Sequence, residues 1–191
     1  MPKIWLANVE EVFSPRSHDD DWTLIPKTDA MAPRFLFYAE PGDVMLLSCE
    51  VIRSFAKFVG QVGGFQHEPM RILAPSCPVS PYSLVDSVLE DERLLKELRG
   101  LVCVGQWRLE PYIETSGAIR LGETLGIPVG RTSPDKVREG LIERLNDKGF
   151  CKNLAVDLGI PTVPGWLVEG RSEVEKALAD LSQTTPDRIL L

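Results

Sequence analysis

Met70-Arg-Ile-Leu-Ala74, Ser83-Leu-Val-Asp-Ser-Val-Leu-Glu-Asp-Glu-Arg-Leu-Leu-Lys-Glu-Leu98 and Leu101-Val-Cys-Val-Gly105 make up the stretch on which the fold turns. The outer pieces are short apolar runs of strand length. The middle one repeats its apolar residues at helical spacing through Leu84, Val88, Leu94, Leu95 and Leu98. Pro75, Pro78 and Pro81 break the chain ahead of the helix, and Ser83 with Asp86 three residues on marks its start. Leu101 to Gly105 lacks alternation, which suits a strand covered on both faces. Strand, helix, strand in this order is a β-α unit of a mainly parallel sheet.

The same alternation extends in both directions. Lys3 to Ala7 reads as a first strand, Arg34 to Tyr38 as a second, and Val44 to Leu47 as a short third or a continuation. Ser48 is placed to cap a helix with Ile52, Phe55 and Val59 inward, ended by Gly60 or Gly63-Gly64. The cluster Gly60-Gln-Val-Gly-Gly64 follows a helix instead of a strand, so it is not a dinucleotide fingerprint, and a stand-alone Rossmann-type oxidoreductase is a weak reading. After Glu110 to Ser116 comes a helix closed by Gly126 and Pro128. Ser133-Pro134 starts another, with Val137, Leu141 and Leu145 on one face. A further helix opens at Asp147-Lys148-Gly149, carries Phe150, Leu154 and Leu158, and stops at Gly159. Thr162 to Val168 reads as a strand. Ser172-Glu-Val-Glu175 reads as a capping box, opening a helix with Val174, Ala177, Leu178 and Leu181 inward, and Asp187 to Leu191 begins a last strand. The expected class is α/β: a Rossmann-like, mainly parallel sheet over residues 1–133, then the beginning of a second domain over 134–191.

Composition narrows the function classes. Of the 191 residues 43% are hydrophobic and 26% charged, enough for a packed core. No run approaches the roughly 20 apolar residues of a membrane span, and Met1-Pro-Lys-Ile-Trp5 has no signal-peptide layout, so no membrane is expected and the protein reads as cytoplasmic. With 21 Lys and Arg against 28 Asp and Glu, the net charge of -7 repels a phosphate backbone, and nucleic acid is not an expected partner. Arg138, Arg144 and Lys148 can still form a local anion site. Cys49, Cys77, Cys103 and Cys151 contain no CxxC pair and read as reduced, packed thiols. His18 and His67 read as loop residues. Asp19-Asp20-Asp21, in the polar loop Ser14 to Asp21, reads as a solvated acidic turn sooner than as a divalent-cation site. No residue is singled out as catalytic or as a metal ligand.

Ligands of open α/β sheets gather beyond the carboxyl ends of the strands. Glu110, Tyr112, Glu114, Thr115 and Ser116 are therefore candidate substrate contacts, as are Asn8 and Glu10 after strand one and Glu40 and Asp43 after strand two. Ordinary turn chemistry is the competing explanation for each, most plainly for Glu40-Pro-Gly-Asp43.

One run carries a family resemblance. Asn146-Asp-Lys-Gly-Phe-Cys-Lys-Asn-Leu-Ala-Val-Asp-Leu-Gly-Ile-Pro-Thr-Val-Pro-Gly165 resembles the segment with which ATP-grasp enzymes begin their nucleotide-binding region: an Asp-Lys, a helix, then Gly-(Ile/Val)-Pro-x-x-Pro-Gly. The preceding part, through its element order and Leu125-Gly-Ile-Pro128, is similar to the pre-ATP-grasp domain of amino-acid and peptide ligases. The resemblance implies ATP-dependent joining of a carboxylate to an amine through an acyl phosphate. It places Lys148 at the nucleotide, where a lysine beside helix amides attracts anions. It also implies a second nucleotide lysine, a glycine-rich lid and late magnesium carboxylates, none of which is found in these 191 residues. The expectation is thus the front part of a ligase, inactive by itself, with ATP and Mg2+ belonging to the complete protein and none bound by the fragment. Its partner would be a small amino acid or peptide, with a homodimer left open. The alternative is a non-catalytic α/β module for dimerisation or interaction.

Overall fold

The computed structural model describes residues 1–12, 31–64, 71–76, 83–168 and 170–184, and of 181–184 the backbone only. The expected features at 14–21, His67, Met70, Cys77, Pro78, Pro81 and 187–191 lie outside the described residues. Among the described residues four strands, β1 (Lys3–Leu6), β2 (Val44–Leu46), β3 (Arg71–Leu73) and β4 (Arg108–Pro111), form one parallel sheet in the order β3-β2-β1-β4. Ile4 pairs with Val44 on one side and with Leu109 on the other. Beyond β4 a parallel bridge joins Leu109 to Val129. The strand order therefore reverses between β1 and β4, the switch point of a doubly wound sheet.

Alternate residues feed two cores, as strand geometry requires. Ile4, Leu6, Val44, Leu46 and Leu109 point to one face, under helices α2 (Leu84–Glu90), α3 (Glu92–Val102) and α4 (Ser116–Leu125). Ala7, Met45 and Leu47 point to the other, under a 3-10 helix at Ala32–Tyr38 and α1 (Arg53–Val62). The α/β class with a parallel sheet is thus what the structure shows, although two of its expected strands are helical.

Residues 34–38 belong to the 3-10 helix. Pro33 sits in its first turn, and Ala32, Phe35 and Leu36 are buried at helical spacing. Leu101 and Val102 end α3, because they extend the stripe Leu94, Leu95, Leu98 by one further turn, and Val104 is 82% exposed. The edge strand comes later, at 108–111. The helix expected from Ser83 onward is two, parted at Asp91. Ser83 caps α2 by accepting the Asp86 N–H, and Asp91 caps α3 by accepting the Leu94 N–H at 2.9 Å. The Ser76 N–H donates to the same Asp91 carboxylate at 2.8 Å. The bond from Ser76, then that from Leu94, holds the Asp91 carboxyl below its ordinary range. Ser48 does not cap α1, whose N-cap position is Ile52. Gly126 ends α4 in the left-handed conformation, as its place predicts.

Two compact units are present, Met1–Ile142 and Glu143–Leu191. Helix α5 (Pro134–Arg138) contributes Val137, fully buried, to the first, and Arg138 pairs with Glu123 of α4. The chain turns at Gly140, so the single face expected through Leu145 is broken, and Leu145, in α6 (Leu141–Asn146), is exposed. The second unit contains α7 (Lys148–Asp157) and α8 (Arg171–Thr184). Residues 162–168 are not a strand, and they pair with no strand among the described residues. Val174, Ala177 and Leu178 are half-buried, as expected of the inner face of α8. The Gly170 carbonyl accepts the Val174 N–H, which makes Gly170 the cap and leaves Ser172 inside the first turn. Cys49, Cys103 and Cys151 are free thiols. No helix of the described residues is long and apolar enough to cross a membrane.

Candidate functional site

The switch point brings together the carboxyl ends of β1 and β4. Past the strands, the Tyr112 N–H donates to the Leu6 carbonyl at 2.8 Å. The fully buried Asn8 then acts as one more rung: its Oδ1 accepts the Ile113 N–H at 3.2 Å and its Nδ2 donates to the Ile113 carbonyl at 2.9 Å. A 3-10 turn, Val9–Val12, follows at once and presents two carboxylates to neighbouring helices. Glu10, 7% exposed, accepts the Leu84 N–H at the start of α2 at 2.7 Å. Glu11 accepts from three side chains: Asn8 Nδ2 at 2.9 Å, Thr115 Oγ1 at 2.6 Å and Ser83 Oγ at 3.2 Å. Thr115 is the N-cap of α4 and Ser83 that of α2, so one carboxylate stands at the positive ends of two helices.

Glu114 lies on the same rim. Its carboxylate takes the backbone N–H groups of Arg131 and Thr132 at 2.7 and 3.0 Å and holds the turn after Val129. Gly130 is required in that turn: its φ is +48°, and a Cβ there would stand 2.1 Å from the Glu114 carboxylate. Tyr112, half-exposed, packs against Phe35 with ring centroids 4.7 Å apart. Ser116 is exposed as the first residue of α4.

Three sequence candidates are not on this rim. Glu110 lies within β4, beside Trp5 on the face opposite the α2–α4 core, with its carboxylate 3.7 Å from Arg108 Nη1. Arg108 Nε there is buried without a hydrogen-bond partner. Glu40 and Asp43 sit at the amino end of the sheet, because the element before them is the 3-10 helix and the strand follows them. Asp43, 4% exposed, accepts Lys3 N and Trp5 Nε1, each at 2.8 Å, and the Glu40 N–H at 3.1 Å. It is a strand-start clamp. Sequence reasoning passed over Glu11 altogether, although an acidic pair directly after the first strand was its visible signal.

In the second unit Asp147 caps α7, accepting the Gly149 and Phe150 N–H groups at 2.8 and 3.0 Å. Those amides are therefore taken, and an anion at this helix end would meet the Lys148 ammonium instead. Lys148 is exposed and has no ion pair among the described residues. Lys152 Nζ donates to the Gly165 carbonyl at 2.7 Å and holds the proline-containing segment to the helix. Among the described residues no group of three or more His, Cys, Asp or Glu side chains could hold a metal ion.

A switch-point sheet with capped helices over its carboxyl end defines the class, and comparison with protein families agrees: the family described as Pre ATP-grasp domain matches residues 32–127, half of the chain. The chain belongs to this family, which points to a part of an ATP-grasp ligase. The match spans β2 to β4 and α1 to α4, while the Asp147-Lys148 segment lies beyond it. No curated protein matches the chain.

Proposed function

We propose that the chain is the front part of an ATP-grasp ligase that joins a carboxylate to an amine, with an amino acid or peptide as substrate, through an acyl phosphate. The observation that supports this reading is the family match over the sheet and its helices, extended by the Asp-Lys to Pro-Gly segment at 147–165. The unit Met1–Ile142, which takes in α5 beyond the boundary expected at 133, is the substrate-side domain, and Glu143–Leu191 opens the nucleotide-binding one. Lys148 meets ATP through its ammonium, a compact charge suited to phosphate, and Mg2+ belongs to later carboxylates. The ligase works in the cytoplasm on small molecules, apart from nucleic acid and membranes, and a homodimer is compatible with it.

Reading the codons past Leu191 is the direct test. A lysine soon after, then a glycine-rich loop and late acidic residues, is the expected result, whereas a stop codon at 192 favours the interaction module. In a coupled ADP-release assay the extended protein turns over candidate amino acids, and residues 1–191 alone do not. In that extended protein Lys148→Ala raises the ATP requirement about tenfold to a hundredfold, the range for losing a charged hydrogen bond of about 1.5–3 kcal/mol. Unchanged ATP dependence returns Lys148 to the solvated surface.

A further inference from the structure

The three donors around Glu11 have no alternative acceptor in the network. A serine or threonine hydroxyl has one proton. Ser83 and Thr115 each use a lone pair to accept a helix N–H, from Asp86 and Ala118, both at 3.1 Å, and each directs its proton at Glu11. Asn8 Nδ2 has two protons, one on the Ile113 carbonyl and one on Glu11. The backbone amide at the start of α2 is held separately by Glu10. What faces Glu11 is therefore a receptor built from side chains of three segments, Asn8, Ser83 and Thr115, whose three protons converge on one carboxylate.

We infer that Glu11 is a built-in ligand of the switch-point crevice: the protein fills with its own carboxylate the receptor that the crevice offers. This goes beyond the ligase reading and stands without it. While Glu11 is seated, no external acid enters between β1 and β4. The crevice is a closed joint linking the end of β1 to two helix caps, beside the exposed ring of Tyr112. Removing the side chain leaves three buried or half-buried protons unpaired around a space that a small carboxylate fits.

The test is chemical rescue of residues 1–191, read as thermal midpoint in sodium formate against sodium chloride at matched ionic strength. Wild type melts alike in both salts. Glu11→Ala melts several degrees lower in chloride and recovers with formate concentration, as ligand binding to the folded state alone requires. A Glu11→Ala midpoint equal to wild type, or a loss that formate does not relieve more than chloride, overturns the inference. Should Glu11→Ala fail to fold, Glu11→Gln combined with Thr115→Ala replaces it. The two losses are less than additive if the hydroxyl and the carboxylate act on each other, and simple additivity overturns the inference. None of these readings depends on nucleotide, so failure here leaves the ligase reading intact, and the reverse holds too.

Discussion

The two compact units are built from similar residues to different effect. In Met1–Ile142 the sheet gives apolar side chains two sides on which to be covered, and every buried apolar residue among those described lies at or before Val137. In Glu143–Leu191 the apolar residues are just as plain in the sequence, yet Val156, Leu158, Ile160, Val163 and Trp166 are all more than half exposed. The difference is one of layers: among the described residues of the second unit, helices and a segment that pairs with no strand give its apolar stripes no sheet to be buried against. Hydrophobic content makes a core only where the topology supplies a facing layer.

Substitutions can sharpen or break that contrast. The largest effect is expected at Leu46, fully buried on the central strand β2: Leu46→Ala costs about 2–5 kcal/mol in urea unfolding, and Val163→Ala in the second unit stays within about 0.5 kcal/mol. Equal losses would erase the distinction. Next is Gly122 in α4, where a Cβ would stand 2.0 Å from Val129 Cγ2. Gly122→Ala is expected to destabilise by about 1–3 kcal/mol through overpacking, against the gain of up to about 1 kcal/mol that alanine brings to an open helix. A stabilised variant would show that the first unit is looser than its packing implies.

Smaller effects follow at the caps. The Asp91 carboxyl titrates lower folded than unfolded, so its contribution is complete above the ordinary aspartate pKa of about 3.9 and is lost as pH falls through the folded value. Asp91→Asn keeps one acceptor oxygen for the Leu94 N–H but turns an NH2 toward the Ser76 N–H, so it flattens this acid limb by lowering stability at neutral pH toward the value wild type reaches in acid. A stability curve with the same acid slope in both proteins would refute the assignment. Smallest of all is Ser172→Ala. Read as a cap, that serine would be worth about 1 kcal/mol. Inside the first turn of α8 its replacement by alanine is neutral or slightly favourable, which circular dichroism melting can decide.

Much of the first unit was legible because its elements are locally marked. Ser83 and Gly126 announce helix ends by chemistry, and β1 and β2 are short apolar runs with no competing period. The failures share a cause: a run of four or five apolar residues fits a buried strand and the last turn of a helix equally well. Leu101-Val102 followed the helical stripe already set by Leu94 and Leu98, and Phe35-Leu36 followed Ala32. The true edge strand hid because only Leu109 of its four residues is buried, leaving Arg108 and Glu110 to look like loop. Glu40 and Asp43 were misplaced as a direct result of the misread element before them. The candidate site was half legible. Asn8, Glu10, Glu114 and Thr115 follow from the strand-end rule, but their bonding is internal. Glu11 makes its contacts with residues 72 and 104 positions away, which no local pattern encodes.

The strand order β3-β2-β1-β4 also bears on how the protein is made. Of the four described strands, the one that comes first in the sequence occupies an inner position, and one of its two neighbours comes last: Asn8 and Ile113, which seal that seam, are 105 residues apart. At ribosomal rates of about 5–20 residues per second, that edge of β1 waits about 5–20 seconds for its partner. Throughout that interval it offers an unpaired row of backbone groups to any other nascent strand. The time of greatest exposure to misassembly therefore falls during translation and closes when residue 113 clears the ribosome.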